Sequence, residues 1–234
     1  MNETNQQPSH LAIVSTADGS NTIYNAQVGE NYHSRHGALQ ESLHVFVRSG
    51  LEYFLEHSGT NNDEVSILEV GFGTGLNFLL TADFCTQQNI NLEYTGIEAY
   101  PLATELISRT GYNNYVSASV WDSFLINYKA VSSAHAPLNN KVKLDIAVTP
   151  LADFTSANKY DVIYFDAFAA IHQPEMWNDE TIAHTLSFLK PGGVFVTYAI
   201  TGNLKRSIKA LGLKVQKAPG APGKREMLRA VADL

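Results

Sequence analysis

Two carboxylates and three glycines stand where a ligand site would need them. Asp166 closes the run Tyr160-Asp-Val-Ile-Tyr-Phe-Asp166, whose apolar residues read as a buried strand. An unpaired carboxylate in such a setting is costly, so it is either partnered or functional. Beside a primary amine it can orient the nitrogen and receive or relay its proton. Glu98 closes a second run, Asn91-Leu-Glu-Tyr-Thr-Gly-Ile-Glu98. A carboxylate at a strand end, about this far past a glycine loop, can accept both hydroxyls of a ribose. That loop is Gly71-Phe-Gly-Thr-Gly75, with glycine at every second position. Glycine lets the chain turn sharply and leaves bare backbone for a ligand, and the helix after it offers free N–H groups to an anion. Other chemistries lack support. There is no Gly-x-Ser-x-Gly elbow, the single cysteine Cys85 has no local histidine, and His33 and His36 lack the further ligands a zinc site wants.

These residues need a scaffold. The chain of 234 residues, 44% hydrophobic and 17% charged, is long enough for one sizeable core. An expected N-terminal extension, residues 1–60, opens with a polar segment, 1–9, that reads as disordered. A hairpin then turns at Asp18-Gly19, and a helix runs from Ala38 to about His57. Residues 61–234 alternate strand and helix, which calls for an α/β fold with a mostly parallel sheet. The first strand leads from Val65 into the glycine loop. The second ends at Glu98, and a helix runs from Pro101 to about Arg109. Tyr112–Tyr128 is partly helical and Val131–Asn140 a polar loop. The third strand is Val142–Val148 and the fourth ends at Asp166. A helix spans Pro174–Leu189, closed by Lys190-Pro-Gly-Gly193. The fifth strand is Val194–Tyr198, a helix spans Asn203–Leu211, and a hairpin from Gly212 to Val231 closes the chain.

The net charge of −7 hides an asymmetry. Residues 201–234 carry +6 and the rest −13, so the tail can present a basic face to a polyanion. No leader-like apolar segment follows Met1 and no run reaches membrane-spanning length, which gives an expectation of a cytoplasmic protein.

The glycine loop departs from the dinucleotide fingerprint, which would place a third glycine at Leu76. Glu69-x-Gly71-x-Gly73-x-Gly75 instead resembles the first motif of class I methyltransferases that use S-adenosylmethionine. Three further blocks extend the resemblance: Tyr32-His-Ser-x-x-Gly-Ala-x-x-Glu-Ser-x-His-Val-Phe46, Phe165-Asp-Ala-Phe-Ala-x-x-x-x-Pro-Glu-Met-Trp177 and Gly223-Lys-Arg-Glu-Met-Leu228. Together they resemble the methyltransferase domain of the MnmC family, which acts in tRNA 5-methylaminomethyl-2-thiouridine biosynthesis. The resemblance implies a Rossmann-like fold and N-methylation of a 5-aminomethyl group on the wobble uridine. It implies that Glu69, Gly71, Gly73, Thr74, Gly75, Asn77 and Glu98 hold S-adenosylmethionine. Asp166 would be the catalytic residue and Phe168 would meet the substrate, and the basic character of the tail adds Lys224 and Arg225 as RNA contacts. It also implies tRNA as partner, without metal, membrane or flavin, since the flavin domain of larger members follows this portion.

Two positions depart from the family pattern. Thr149-Pro150 stands where a Gly-Asp is usual, removing an aspartate expected near the adenine, for which Asp153 is a substitute. Ala170 replaces a proline in the loop after Asp166. Rival readings are a methyltransferase or aminopropyltransferase acting on a small amine, and a silent module that binds S-adenosylmethionine or RNA.

Overall fold

A computed structural model describes residues 10–59, 63–131 and 136–233; the segment 1–9 expected to be disordered lies outside them. The chain opens with β1 (Leu11–Ser15), β2 (Asn21–Asn25) and the two-residue β3 (Glu30–Asn31), a small antiparallel sheet of its own. α1 (Ala38–Glu41) then passes without a break through a π-helical stretch, Ser42–Glu52, into α2 (Tyr53–His57). A helix start leaves free N–H groups, and here the hairpin turn supplies their acceptors from a distance. Thr16 Oγ1 accepts from Ala38 N at 3.2 Å, Ser20 Oγ from Leu39 N at 3.1 Å, and Asp18 Oδ2 from Gln40 N at 3.0 Å.

The main sheet follows. Its elements are β4 (Glu64–Val70), α3 (Leu76–Gln87), β5 (Asn91–Ile97), α4 (Thr104–Ile107), α5 (Ala118–Val131), β6 (Ala136–Pro137), β7 (Val142–Ala147) and β8 (Tyr160–Phe165). α6 (Asp179–Leu186), β9 (Leu189–Thr197), α7 (Gly202–Ala210), β10 (Lys214–Pro219) and β11 (Glu226–Val231) complete it. The strand order is β10-β11-β9-β8-β4-β5-β7-β6, parallel from β9 to β7 and antiparallel at both ends. The order reverses between β4 and its neighbours β8 and β5, and ligands of open α/β sheets sit outside the strand ends at such a point. Gly71 and Asp166 are the first residues past β4 and β8.

Side chains alternate along each strand, and the alternation divides the core. Val65 and Ile67 of β4, Val162 and Tyr164 of β8, and Val194 and Val196 of β9 pack under α3, α5 and the 38–57 helix. Leu68 and Val70, Ile163 and Phe165, and Phe195 pack on the other face with Ile182, Leu186, Leu204 and Ile208. Gly50 lets the long helix lie flat on the sheet. A Cβ there would meet the Tyr164 ring and Val196 at 2.9 Å.

Three expectations need correction. Lys190-Pro-Gly-Gly193 does not close a helix but lies inside β9, where a bulge opposite Tyr160–Val162 absorbs it. The helix expected over Pro174–Leu189 is split: Pro174–Trp177 forms a 3-10 turn, and Asn178 caps α6 by accepting from Thr181 N at 2.8 Å. The polar loop before β7 contains β6, which pairs with Leu144 and Lys143.

Candidate active site

The glycine loop is built by geometry before any ligand is considered. Gly71, Gly73 and Gly75 have φ of 83°, 53° and 77°, a region that strains any other residue. Each also touches a neighbour. A Cβ on Gly71 would stand 2.6 Å from the Asp166 carbonyl oxygen, and one on Gly73 would stand 2.9 Å from the Tyr32 ring. Gly71 N donates to Ile97 O and Asp166 N to Val70 O, so the loop, β5 and the Asp166 turn are pinned together.

Beside the loop, Glu98 Oε2 accepts from Gly73 N and Oε1 from Tyr100 N, both at 2.9 Å. Burial pushes this carboxyl above its ordinary value, and the two backbone donors oppose the rise. Each oxygen keeps acceptor capacity for a further donor. Tyr100 and Val148, just past the ends of the neighbouring strands β5 and β7, are large apolar side chains left exposed. Asp153 is also exposed, on the turn after β7.

Asp166 forms the floor of a second space. A cavity of ≈ 230 Å³ is lined by Glu30, Tyr32, Glu41, Asp166, Tyr198 and Lys224, among others. Burial raises the Asp166 carboxyl to about 8. The Glu41 and Glu30 charges add to the rise, and the Asn77 amide and Lys224 oppose it. Glu41, itself buried, accepts from Lys224 Nζ at 2.8 Å and from Ser34 N at 3.0 Å. The Lys224 ammonium lies 3.8 Å from the centre of the Tyr198 ring, a cation–π contact. Tyr198 donates to Ala167 O. Phe168 meets the Tyr32 ring edge-on at 5.0 Å, and its backbone is held by Gln173 and by Trp177 Nε1. Glu30 accepts from Ala169 N at 3.0 Å, tying β3 to the loop that lost its proline at Ala170.

Some of the residues expected at the cofactor lie elsewhere. Glu69 shares the face of Val65 and Ile67 and is fully buried under α3. Its oxygens accept from Asn77 Nδ2 and Tyr94 OH, both at 2.8 Å. Thr74 is also buried and accepts from Tyr112 OH at 3.2 Å. Asn77 donates to Asp166 Oδ2 at 2.8 Å as well as to Glu69, while its buried Oδ1 has no partner. All three support the site from within the core. Lys224 reaches the pocket but is engaged by Glu41, and Arg225 is exposed on the β10–β11 loop.

Glu30, Tyr32, Glu41 and Tyr198 were not singled out in the sequence. Glu41 carried a signal: it stands three residues past Ala38 and four before Val45, a charged residue at a core-facing position of an amphipathic helix. His33 is half-buried, brought down to about 4 by loss of solvent against the Asp18 charge, and shares a hydrogen bond with Thr22 at 2.9 Å. Among the described residues no group of three or more metal-ligating side chains occurs.

Asn77 is thus a positioning residue with a measurable signature. Asn77→Ala removes the donor that holds Asp166 down, so Asp166 should rise above about 8 and the pH–rate profile should move to higher pH. Glu69 loses one of two donors, and denaturant unfolding should show a loss of about 1–3 kcal/mol.

The family model described as S-adenosyl-L-methionine-dependent methyltransferase matches residues 114–233. A tRNA 5-methylaminomethyl-2-thiouridine biosynthesis bifunctional protein MnmC of Magnetococcus marinus is 29% identical over 97% of this chain and 36% of its own length. The protein of the same name from Leptospira borgpetersenii is 30% identical over 84% of this chain and 31% of its own. The chain therefore spans about a third of the length of these curated relatives. Among solved structures, MNMC2 from Aquifex aeolicus superposes with a TM-score of 0.76 at 23% identity, covering 97% of this chain and 71% of the other. Spermidine synthase from Thermotoga maritima superposes at 0.55 with 15% identity, covering 97% and 70%. These two show the shared class I α/β fold. The sheet order, the left-handed glycine loop and the matched stretch that includes Asp166 agree: the chain belongs to the S-adenosyl-L-methionine-dependent methyltransferases.

Proposed function

We propose that this chain N-methylates the 5-aminomethyl group of a wobble uridine in tRNA, giving the methylaminomethyl form. The observation that carries the reading is the placement of Asp166. It joins the glycine loop, through Val70 and Gly71, to a pocket lined by charged and aromatic side chains. The printed names of the curated relatives point to the same modification.

The residues fit the cofactor. Glu98 suits a ribose diol, the bare backbone of Gly71–Gly75 suits close approach, and exposed Tyr100 and Val148 offer an apolar shelf for an adenine where an aspartate is missing. S-adenosylmethionine supplies an electrophilic methyl group on a sulfonium. The chain's own work is placement and proton handling. The pocket is lined by Glu30, Glu41 and Asp166 together with Lys224 and Arg35, and with Glu41 paired to Lys224 the Glu30 carboxylate is left to draw in a cationic aminomethyl group. Only the neutral amine is nucleophilic, and a carboxylate raised to about 8 is a base matched to that deprotonation near neutral pH. Asn77 fixes the Asp166 oxygen from below, so the proton is received at a defined position. Tyr32 and Phe168 present ring faces on which a base can stack. The Glu41–Lys224 pair closes the far wall. No helix among the described residues is long and apolar enough to cross a membrane; a tRNA substrate would be met in the cytoplasm.

The test is labelled-methyl transfer from S-adenosylmethionine to tRNA isolated from cells lacking this protein, with nucleoside mass spectrometry. Methylaminomethyl-uridine is the expected product. The carboxyl groups of Glu30, Glu41 and Asp166 in that lining also suit a small polyamine. Label on free polyamine and none on tRNA would replace the tRNA reading with that one.

A further inference from the structure

The tail's positive charge divides into two groups. Three cations are used internally. Lys224 pairs with Glu41, Lys214 with Asp233 at 2.6 Å, and Arg229 lies over the Tyr53 ring while donating to Gln216. Of the other five, all but Arg225 gather around one feature. An open cleft of ≈ 470 Å³ lies between α7 and β10, lined by Gly202, Lys205, Arg206, Lys209, Val215 and Lys217. Lys205 and Lys209 have no ion pair among the described residues, Arg206 donates only to Asn203, and Lys217 has Glu226 at 3.4 Å. Among the described residues, one ion pair serves these four cations.

One end of the cleft, at Gly202 and Lys217, lies toward the same end of the sheet as the Asp166 pocket, and the rest follows α7 away from it. Lys217 pairs with Leu228, and Leu228 with Thr197, so Lys217 is level with the strand end that Tyr198 continues into the pocket. The β10–β11 loop then carries exposed Arg225 and pocket-lining Lys224 between the two sites. Outside the tail the chain carries −13, which repels a polyanion, so such a partner is held where the positive charge is concentrated.

We infer that the α7–β10 cleft is a docking track for RNA backbone phosphates, which holds the body of the substrate while its modified base enters the Asp166 pocket. The inference rests on the tRNA reading above. Phosphate contacts by Lys and Arg displace counterions, fix register and carry no base information. The cleft, with its flexible ammonium groups and no aromatic side chain in its lining, has that character.

The test combines Lys205→Ala, Lys209→Ala and Lys217→Ala in one variant, with Lys214→Ala as control. tRNA affinity is measured across a salt series, with S-adenosylmethionine binding and thermal melting as checks on folding. The triple variant should bind tRNA at least about tenfold more weakly at low salt, with a slope of log affinity against log salt shallower by about 2. Its cofactor binding should match the wild type, and Lys214→Ala should match the wild type throughout. Single Lys209→Ala, at an exposed helix position, should show about a third of the change in slope if the triple variant melts early. If the wild type methylates tRNA and the triple variant keeps its affinity and slope, the cleft assignment falls and the tRNA reading stands. Equal losses in the triple variant and in Lys214→Ala overturn the assignment in favour of diffuse charge attraction. If the wild type neither binds nor methylates tRNA, the underlying reading fails and the cleft assignment fails with it. Retention of an acidic protein by the cleft would then be the alternative to pursue.

Discussion

Asp166→Asn is expected to keep S-adenosylmethionine binding and to lower kcat by about 10²–10⁴-fold. The asparagine still accepts from Asn77 but cannot take the amine proton. The pH dependence separates this role from a structural one. With Asp166 held at about 8, log kcat in the wild type should climb with a slope of about one up to that pH and then level, and the limb should vanish in the variant. Stability should move the other way. The folded-state carboxyl lies above its unfolded value of 3.8, so the folded state prefers the protonated form. That contribution is fully present below about 4 and is lost as pH rises through about 8. At pH 7 the wild type carries most of this loss, and the asparagine variant does not. Its melting temperature at pH 7 should therefore equal or exceed that of the wild type, with a flatter profile from pH 5 to 8. A variant that is both inactive and less stable at pH 7 would mark Asp166 as a brace for its loop.

Gly71→Ala should be among the most damaging single-atom additions in the chain. The residue has φ of 83°, where a Cβ costs about 1–2 kcal/mol. The added atom would stand 2.6 Å from the backbone oxygen of Asp166 and 3.1 Å from its carbonyl carbon. Backbone cannot swing aside as a side-chain tip does, and forced overpacking adds about 1–3 kcal/mol. Unfolding in urea should show a combined loss of about 2–5 kcal/mol. Activity should fall further than the unfolded fraction explains, because relieving the contact pushes Asp166 away from Val70, its hydrogen-bond partner at 2.9 Å. Gly19→Ala is the control. Its φ is 83° too, but nothing lies within 4 Å of the added Cβ, so it should show the conformational cost alone. Equal losses at the two positions would show that crowding against Asp166 is not limiting.

The readable parts of the site were those fixed by position on a strand. The strand-end placement of Glu98 and Asp166 follows from the apolar runs before them, and the parallel sheet brings those ends together beside the glycine loop. Glu69 was misplaced because the motif was read as a unit. Period-two alternation puts it with Val65 and Ile67, facing the core. The glycines of Lys190-Pro-Gly-Gly193 carry a strong turn signal, which pairing with β8 through a bulge overrides. Lys224 was assigned to RNA on charge. Its partner Glu41 lies 183 residues earlier, and no local pattern reports a contact at that separation. The same holds for the helix cap: Asp18 signals a turn, but its bond to Gln40 N exists only once hairpin and helix have docked.

That docking divides the enzyme's inheritance. The glycine loop, Glu98 and Asp166 belong to the sheet, whereas Glu30, Tyr32 and Glu41 come from the hairpin and the helix start it caps. One wall of the pocket is thus written before Phe46, while Asp166, Phe168, Tyr198 and Lys224 complete it from the sheet. Under the proposed function, such a layout lets mutation before Phe46 reshape that wall while the glycine loop and Glu98 pass unaltered from one specificity to the next.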